Sequence, residues 1–359
     1  AGKKVAVIGT GATGIQTIQE VSKEVGHLTV FQLRPEWCAP LHNSKIEPDE
    51  MKVIRTGYDE MFERCAQTRA GFIHTADHRG TFEVSVKERY EFWEQLYASP
   101  GFGIWQGNFK DIGTDPEANK AMSDFLADKI RGRVNNPILA EKLIPKDHGF
   151  GTRRVPLETN YYESYNQENV ELIDISDTPI ERVTQDGILT TDKEFEFDFI
   201  IYATGFDAIF GSYNRIDIRG VNQRRLKDQW EEELATFLGI QTKGFPNLFM
   251  IMGPHAMQGN NPRNIEYNVE WITDVIKYMI DRRLTRAEAS SEAQNGWHEY
   301  VLEQGKDLLM TQVDSWFTGI NSNIEGRQTR ITAMYRGSMQ SFRNRCEQAA
   351  QNGYKELWS

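Results

Sequence analysis

The sequence predicts an α/β protein whose first part is built on a doubly wound parallel sheet. Residues 5–8 form a short apolar, β-branched run that ends in Gly9, the pattern of a buried parallel strand. Gly9-Thr-Gly11-Ala-Thr-Gly14 follows at once, and apolar residues then recur at helical spacing over 15–25. Residues 27–31 are a second β-branched and aromatic run. Strand, turn, helix and strand thus fit within about 30 residues, the length of one such unit.

The later elements follow in order. From about residue 45 to 143 the chain is charged and rich in helix formers, with helical spacing over 90–97 and 118–130 and breakers at Pro100-Gly101 and Pro116. This region reads as a helical insertion at about 45–145. Strand signals return at 170–173, at 180–184 and strongly over 195–202. The last part predicts a buried strand over 247–252, a long amphipathic helix over 265–282 and a second helical region near the C-terminus.

Composition narrows the function classes. Lys and Arg number 41 against 52 Asp and Glu in 359 residues, a net charge of −11. That balance argues against a general nucleic-acid binder or an anionic-membrane binder, which needs clustered positive charge. Apolar residues make up 39%, ample for a core, and no run approaches the ~18 apolar residues of a membrane helix. Cys38, Cys65 and Cys346 lie far apart, which fits a reducing, cytoplasmic setting and gives neither a disulfide framework nor a zinc site. The seven histidines form no H-E-x-x-H set. His74 and His78 have i, i+4 spacing, but Gly80 and polar surroundings favour a loop, so no metal site is expected. The chain opens on Ala1-Gly-Lys-Lys without an initiator Met, so a processed terminus or one piece of a longer polypeptide is expected.

The glycine motif has a chemical reading. Gly9 allows the tight turn, Gly11 lets backbone approach a pyrophosphate, and Gly14 lets helix and strand pack closely. Thr10, Ala12, Thr13 and Gln16 complete the turn and the first helical turn, whose free N–H groups favour phosphate. An NAD or FAD site usually shows an acid at the end of the second strand. Here Gln32-Leu33-Arg34 follows Phe31, and a cation with no acid suits a 2′-phosphate, hence NADP. The alternative is a solvated Arg34. Glu36 lies close enough in sequence to neutralise it in part.

Two further stretches stand out. Gly149-Phe-Gly-Thr-Arg153-Arg154 is either solvated surface charge or a fixed anion-binding loop. Asp198-Phe-Ile-Ile-Tyr-Ala203-Thr204-Gly205-Phe-Asp207 is a strand ending in small residues. It is either an ordinary turn or one that brings backbone close to a dinucleotide.

Taken in order, these residues resemble the Baeyer–Villiger monooxygenases, class B FAD/NADPH flavoproteins that insert oxygen beside a ketone. The resemblance runs through Gly9–Gln16, Val30-Phe-Gln32, Pro35-Glu-Trp-Cys-Ala-Pro40, Phe150-Gly-Thr-Arg-Arg154, Tyr161-Tyr162 and Ala203-Thr-Gly-Phe-Asp207. It continues through Asp217-Ile-Arg-Gly220, Gly244-Phe-Pro-Asn-Leu-Phe249, Gly253-Pro254, Val269-Glu-Trp271 and Ser315-Trp-Phe-Thr-Gly319, collinear from residue 2 to about residue 320.

The resemblance implies an FAD domain and an NADP domain, each with its own glycine motif, of which this is the second. The first, and the F-x-G-x-x-x-H-x-x-x-W signature, do not occur in this chain. Residues 1–200 are then expected to be a Rossmann-like NADP-binding domain with its helical insertion. Residues 201–359 are expected to be the C-terminal segment of the FAD domain, with the turn at 203–207 as the crossover. The N-terminal FAD-binding segment is expected in the same precursor or in a separate chain, so that this chain does not work alone.

The implied reaction uses FAD, NADPH and O2 to convert a ketone to an ester or lactone through a C4a-peroxyflavin. Arg154 matches the active-site arginine beside the flavin; a fixed, always charged guanidinium suits a developing oxyanion. Arg153 matches a position that binds the 2′-phosphate. Ala203, Thr204 and Gly205 line the crossover, and Asn261 falls where backbone meets the flavin ring. Trp316 resembles a tryptophan on a mobile loop that closes over the nicotinamide end, the alternative being a core tryptophan. One departure is Leu33, which stands where the family has an arginine and leaves the phosphate clamp to Arg34 and Arg153. His255 either lines the ketone pocket or is a packed or solvated loop histidine. Two other functions stay open: a flavin-dependent S- or N-oxygenase, and a non-catalytic NADP-binding fragment.

Overall fold

Burying the two faces of one parallel sheet organises the first part of the chain. The computed structural model describes residues 2–358. They form two compact units, one of residues 2–45 with 76–206 and one of residues 46–75 with 207–358.

The first unit contains β1 (Lys4–Ile8), β2 (His27–Gln32), β3 (Val170–Asp174), β4 (Ile180–Val183), β5 (Gly187–Thr190), β6 (Glu194–Glu196) and β7 (Phe199–Tyr202). Four of these make an all-parallel sheet in the order β3-β2-β1-β7. In β1, Val5 lies opposite Leu28 on one side and Phe199 on the other. Because side chains alternate along a strand, Val5 and Val7 meet Ile15 and Ile18 of helix α1 (Ala12–Val21). Ala6 and Ile8 point to the opposite face, where they join Phe31 and Ile188. That second face is covered by an antiparallel sheet, β4-β5-β6, rather than by helices. Phe31 packs edge-on against Phe195 and Phe197, with ring centroids 5.3 and 5.9 Å apart.

The chain winds outward from β1 through β2 to β3 and then returns to the other side of β1 as β7. The winding direction therefore reverses between β1 and β7. Ligands of open α/β sheets sit at such a reversal, beyond the carboxyl ends of the strands.

Three local expectations need correction. Residues 195–202 are not one strand, because Phe197 and Asp198 turn the chain from one sheet into the other. The Asp198 carboxylate accepts from the Lys4 backbone N–H at 2.8 Å and from Lys3 Nζ at 2.6 Å, which pins that corner. Helix α1 stops at Val21 rather than continuing to residue 25, since the Gly26 and His27 N–H groups bond to the Lys3 carbonyl and draw the chain into β2. Residues 247–252 form no strand: Asn247 and Met252 have φ of +61° and +56°, and the Asn247 side chain bonds to Thr285 and Ala287 backbone instead.

Helices α2 (Val86–Ala98) and α3 (Pro116–Arg133) cover the α1 side of the sheet region. Ser85 caps α2, and Asp115 followed by Pro116 starts α3, its carboxylate accepting from the Glu117 and Ala118 N–H groups. At the end of α3, Arg133 pairs with Glu158 at 2.7 Å and Glu163 at 2.6 Å.

The second unit packs α4 (Asn261–Arg282), α5 (Ser291–Gly305) and α6 (Met339–Gln351) around Trp271, Val275, Trp297, Val301, Phe342 and Cys346. The short helices Pro48–Thr56 and Tyr58–Gln67 group here, with Arg69 and Ala70 carbonyls bonded to the Met339 and Asn260 N–H groups. All three cysteines are buried and free. Among the described residues, no helix is long and apolar enough to cross a membrane.

Candidate functional site

The glycine turn lies at the winding reversal. Gly9 has φ +108°, and a Cβ there would stand 2.5 Å from the Ala203 carbonyl oxygen. Ala203 in turn donates its N–H to the Ile8 carbonyl at 2.9 Å. A Cβ on Gly14 would meet the Gly9 carbonyl oxygen at 2.0 Å, so close approach of α1 to the turn requires glycine. Gly11 differs: its missing Cβ faces open space, with nothing within 4 Å. No side chain caps the start of α1, so its first N–H groups stay available to an anion. Thr10 is buried and donates Oγ1 to the Arg34 carbonyl at 2.7 Å, tying the turn to the exit of β2. Thr13 and Gln16 are exposed, Ala12 is half-buried, and Thr204 and Gly205 lie exposed beyond β7.

At the β2 exit, Gln32 is buried; its Nε2 donates to the Lys142 carbonyl, while Oε1 has no partner. Arg34 is largely exposed and stands 3.9 Å from Asp147. Arg153 is only 11% exposed and pairs with Glu36 at 3.1 Å and Asp147 at 3.2 Å. Glu36 therefore serves Arg153, and the acid near Arg34 is Asp147, which sequence reading missed. The available signal was its place directly before the glycine-rich turn at 149–151. His148, 1% exposed, sits between the two acids, with Nδ1 2.7 Å from Asp147 and Nε2 3.3 Å from Glu36. The His148 hydrogen bond, aided by Arg153, holds Asp147 down at about 2. For His148 itself, burial acts to lower the pKa, but Asp147 and Glu36 outweigh it and the net shift is upward.

The loop that carries the arginines is fixed from α3. Phe150 is buried and its N–H bonds to Ser123 Oγ, while Asn119 Nδ2 bonds to the Phe150 carbonyl. A Cβ on Gly149 would collide with Asn119. Arg154 leaves this loop half-buried and, among the described residues, meets no hydrogen-bond acceptor or carboxylate. Burial pushes its guanidinium below the usual value. An arginine remains charged under such a shift, so the structure holds a positive charge without a counter-ion.

The other two predicted residues belong to the second unit. Asn261 is the first residue of α4; Asn260 before it donates to the Gly71 carbonyl and provides no side-chain cap. Trp316 opens a single 3-10 turn closed by Ser315 and Thr318 and packs on Phe317 at 4.4 Å. It is 37% exposed, so it is not a core tryptophan. His255 is fully buried, bonded through Nε2 to the Thr332 carbonyl, and is a packed histidine. Among the described residues no cluster of three metal-ligating side chains occurs.

No protein-family model matches the chain. The 2-oxo-Delta(3)-4,5,5-trimethylcyclopentenylacetyl-CoA monooxygenase of Pseudomonas putida is 44% identical over 357 residues, covering 98% of this chain and 65% of that protein. A crystal structure of OTEMO in complex with FAD and NADP matches with a TM-score of 0.94 at 43% identity, over 99% of this chain and 66% of that one. Acetone monooxygenase (methyl acetate-forming) of Gordonia sp. (strain TY-5) is 35% identical over 360 residues, covering 99% of this chain and 67% of that protein. The chain belongs to the Baeyer–Villiger monooxygenase family.

This Baeyer–Villiger family chain spans 65% of the length of the Pseudomonas relative. Its residues fit a dinucleotide at the winding reversal. The open space at Gly11 admits a phosphate against backbone, the start of α1 is uncapped, and Gln32 Oε1, at the end of β2, has no hydrogen-bond partner among the described residues.

Proposed function

We propose that this chain supplies the NADP site and the active-site arginine of an FAD- and NADPH-dependent Baeyer–Villiger monooxygenase that converts a ketone to an ester or lactone. The observation that carries the reading is Arg154, a half-buried guanidinium with no acid beside it, next to an Arg153 that is fully engaged with acids. NADPH supplies the hydride, and FAD with O2 supplies the oxygen atom delivered to the carbonyl. Residues 1–200 serve as the NADP-binding domain and 201–359 as the C-terminal segment of the FAD domain. The relatives carry the matched region within one longer polypeptide, which supports the reading that the FAD-binding part belongs to the same polypeptide. A cytoplasmic location belongs to the same reading.

The chain's residues divide the work. Gly9, Gly11 and Gly14, with Thr10, Ala12, Thr13 and Gln16, cradle the pyrophosphate at the start of α1, and Gln32 borders the ribose. Arg34 and Arg153 face the 2′-phosphate. Ala203, Thr204 and Gly205 keep backbone against the dinucleotide. Arg154, unneutralised by the protein, holds a fixed positive charge where negative charge develops on oxygen; such a preorganised charge lowers the barrier without reorganisation. The roles of Asn261, at the uncapped start of α4, toward the flavin ring and of Trp316 toward the nicotinamide rest on the family likeness alone. Absorbance and product analysis test the reading together. The complete polypeptide should show bound flavin and turn a cyclic ketone into a lactone under limiting NADPH. Sulfide oxidation with no lactone would instead assign an S-oxygenase, and absence of flavin would leave a nucleotide-binding protein.

A further inference from the structure

Five charged or titratable side chains meet beside the glycine turn. Arg34 and Glu36 come from the exit of β2; Asp147, His148 and Arg153 come from the loop that α3 holds. Each acid is shared, Glu36 between Arg153 and His148, and Asp147 between Arg153, His148 and Arg34. The cluster is coupled to the phosphate-binding turn through the Thr10 hydrogen bond to the Arg34 carbonyl. His148 is held in place on its backbone side as well, since Trp37 Nε1 donates to its carbonyl at 2.9 Å.

These contacts make the arginines a compromised anion site. The two guanidinium charges are matched by two carboxylates, so with His148 neutral the cluster has no net charge to offer a dianionic phosphate. A charged His148 engages both acids and leaves the group one positive charge in excess. We propose that His148, wedged between Glu36 and Asp147, is a positioning residue for coenzyme choice: its charge occupies both acids and turns Arg34 and Arg153 toward a 2′-phosphate.

The proposal rests on reading the winding reversal as an NADP site, and it assigns His148 a part that reading does not contain. It also gives coenzyme choice a pH dependence. As pH rises through the titration of His148, preference for the 2′-phosphorylated nucleotide falls. The phosphate titrates over the same range, with a second pKa near ~6, so wild type must be compared with His148→Gln, in which only the phosphate changes charge.

Calorimetry with adenosine 2′,5′-bisphosphate and AMP tests this, because the two differ only by the 2′-phosphate. Near about pH 6 the bisphosphate-over-AMP preference should drop roughly tenfold in His148→Gln, the effect of one unit charge in a partly screened site, and the gap should close toward about pH 9. AMP affinity should not change, which shows that the turn is still folded. Adding Asp147→Asn to His148→Gln should restore the preference at every pH, since one acid fewer replaces the lost cation; a merely structural histidine would show no such rescue. An unchanged preference and pH profile in His148→Gln overturns the proposal and leaves the NADP site standing. Equal binding of AMP and bisphosphate by wild type overturns the 2′-phosphate assignment, and binding of neither overturns the nucleotide site itself, each taking the proposal with it.

Discussion

Gly9 and Ala203 are in contact across the winding reversal: a single added carbon on Gly9 would stand 2.5 Å from the Ala203 carbonyl oxygen. Gly11, two residues on, has open space instead. The two glycines should therefore respond differently to alanine. Gly9→Ala adds a collision to a φ of +108° and should lower stability by roughly 3 kcal/mol or more. Gly11→Ala should change stability by less than about 1 kcal/mol yet weaken nucleotide binding, because only the ligand needs that space. Urea unfolding and AMP titration separate the two effects.

Among the described residues, Arg154 has no hydrogen-bond acceptor or carboxylate partner to lose. Arg154→Ala should leave the thermal midpoint within about 2 °C of wild type while oxygenation slows by roughly 10²–10³-fold. Arg154→Lys should recover only part of the rate, since an ammonium on a flexible stem is not held in one place. Product formation and differential scanning fluorimetry on the same preparations check both statements.

Arg34 should act on coenzyme choice alone. It is exposed and, among the described residues, the acid beside it is 3.9 Å away, so Arg34→Ala should be nearly neutral for stability. The ratio of kcat/KM for NADPH over NADH should fall about tenfold. An unchanged ratio removes Arg34 from the phosphate clamp.

How much of this was legible in the sequence follows from the range of the interactions. The β1–turn–α1–β2 unit was readable because the glycines, the apolar alternation and the helix period all act within one short stretch. The break at Phe197-Asp198 was not, because it depends on Lys3 and Lys4 at the far end of the chain. Residues 247–252 looked strand-like from their apolar run, but the left-handed Asn247 is fixed by backbone near residue 286. Adjacent arginines 153 and 154 are equivalent as letters. What separates them is Glu36 and Asp147, brought to one and not to the other by folding.

The Arg133–Glu158 pair should dominate local stability. Glu158 is fully buried at 0% exposure, and Arg133 also holds Glu163. Arg133→Met leaves a buried carboxylate without its partner and should cost about 3–5 kcal/mol in urea unfolding. The double variant Arg133→Met with Glu158→Leu should recover much of that loss.

His255 sets a stability window in acid. Burial pushes its pKa down to about 4 from an ordinary 6.5, outweighing its bond to the Thr332 carbonyl. The unfolded chain therefore takes up a proton that the folded one resists. Its contribution is fully present above about pH 6.5 and is lost as pH falls toward about 4, up to roughly 3 kcal/mol. Unfolding free energies measured across that window should fall less steeply in His255→Gln than in wild type.

Oxygen insertion at a carbonyl is most directly tested with isotopically labelled O2. The complete polypeptide, supplied with FAD, NADPH and a cyclic ketone, should yield a lactone carrying one labelled oxygen atom for each NADPH consumed, with Arg154→Ala consuming NADPH but forming little lactone. NADPH oxidation by wild type that yields no labelled ester or lactone from any ketone would contradict it.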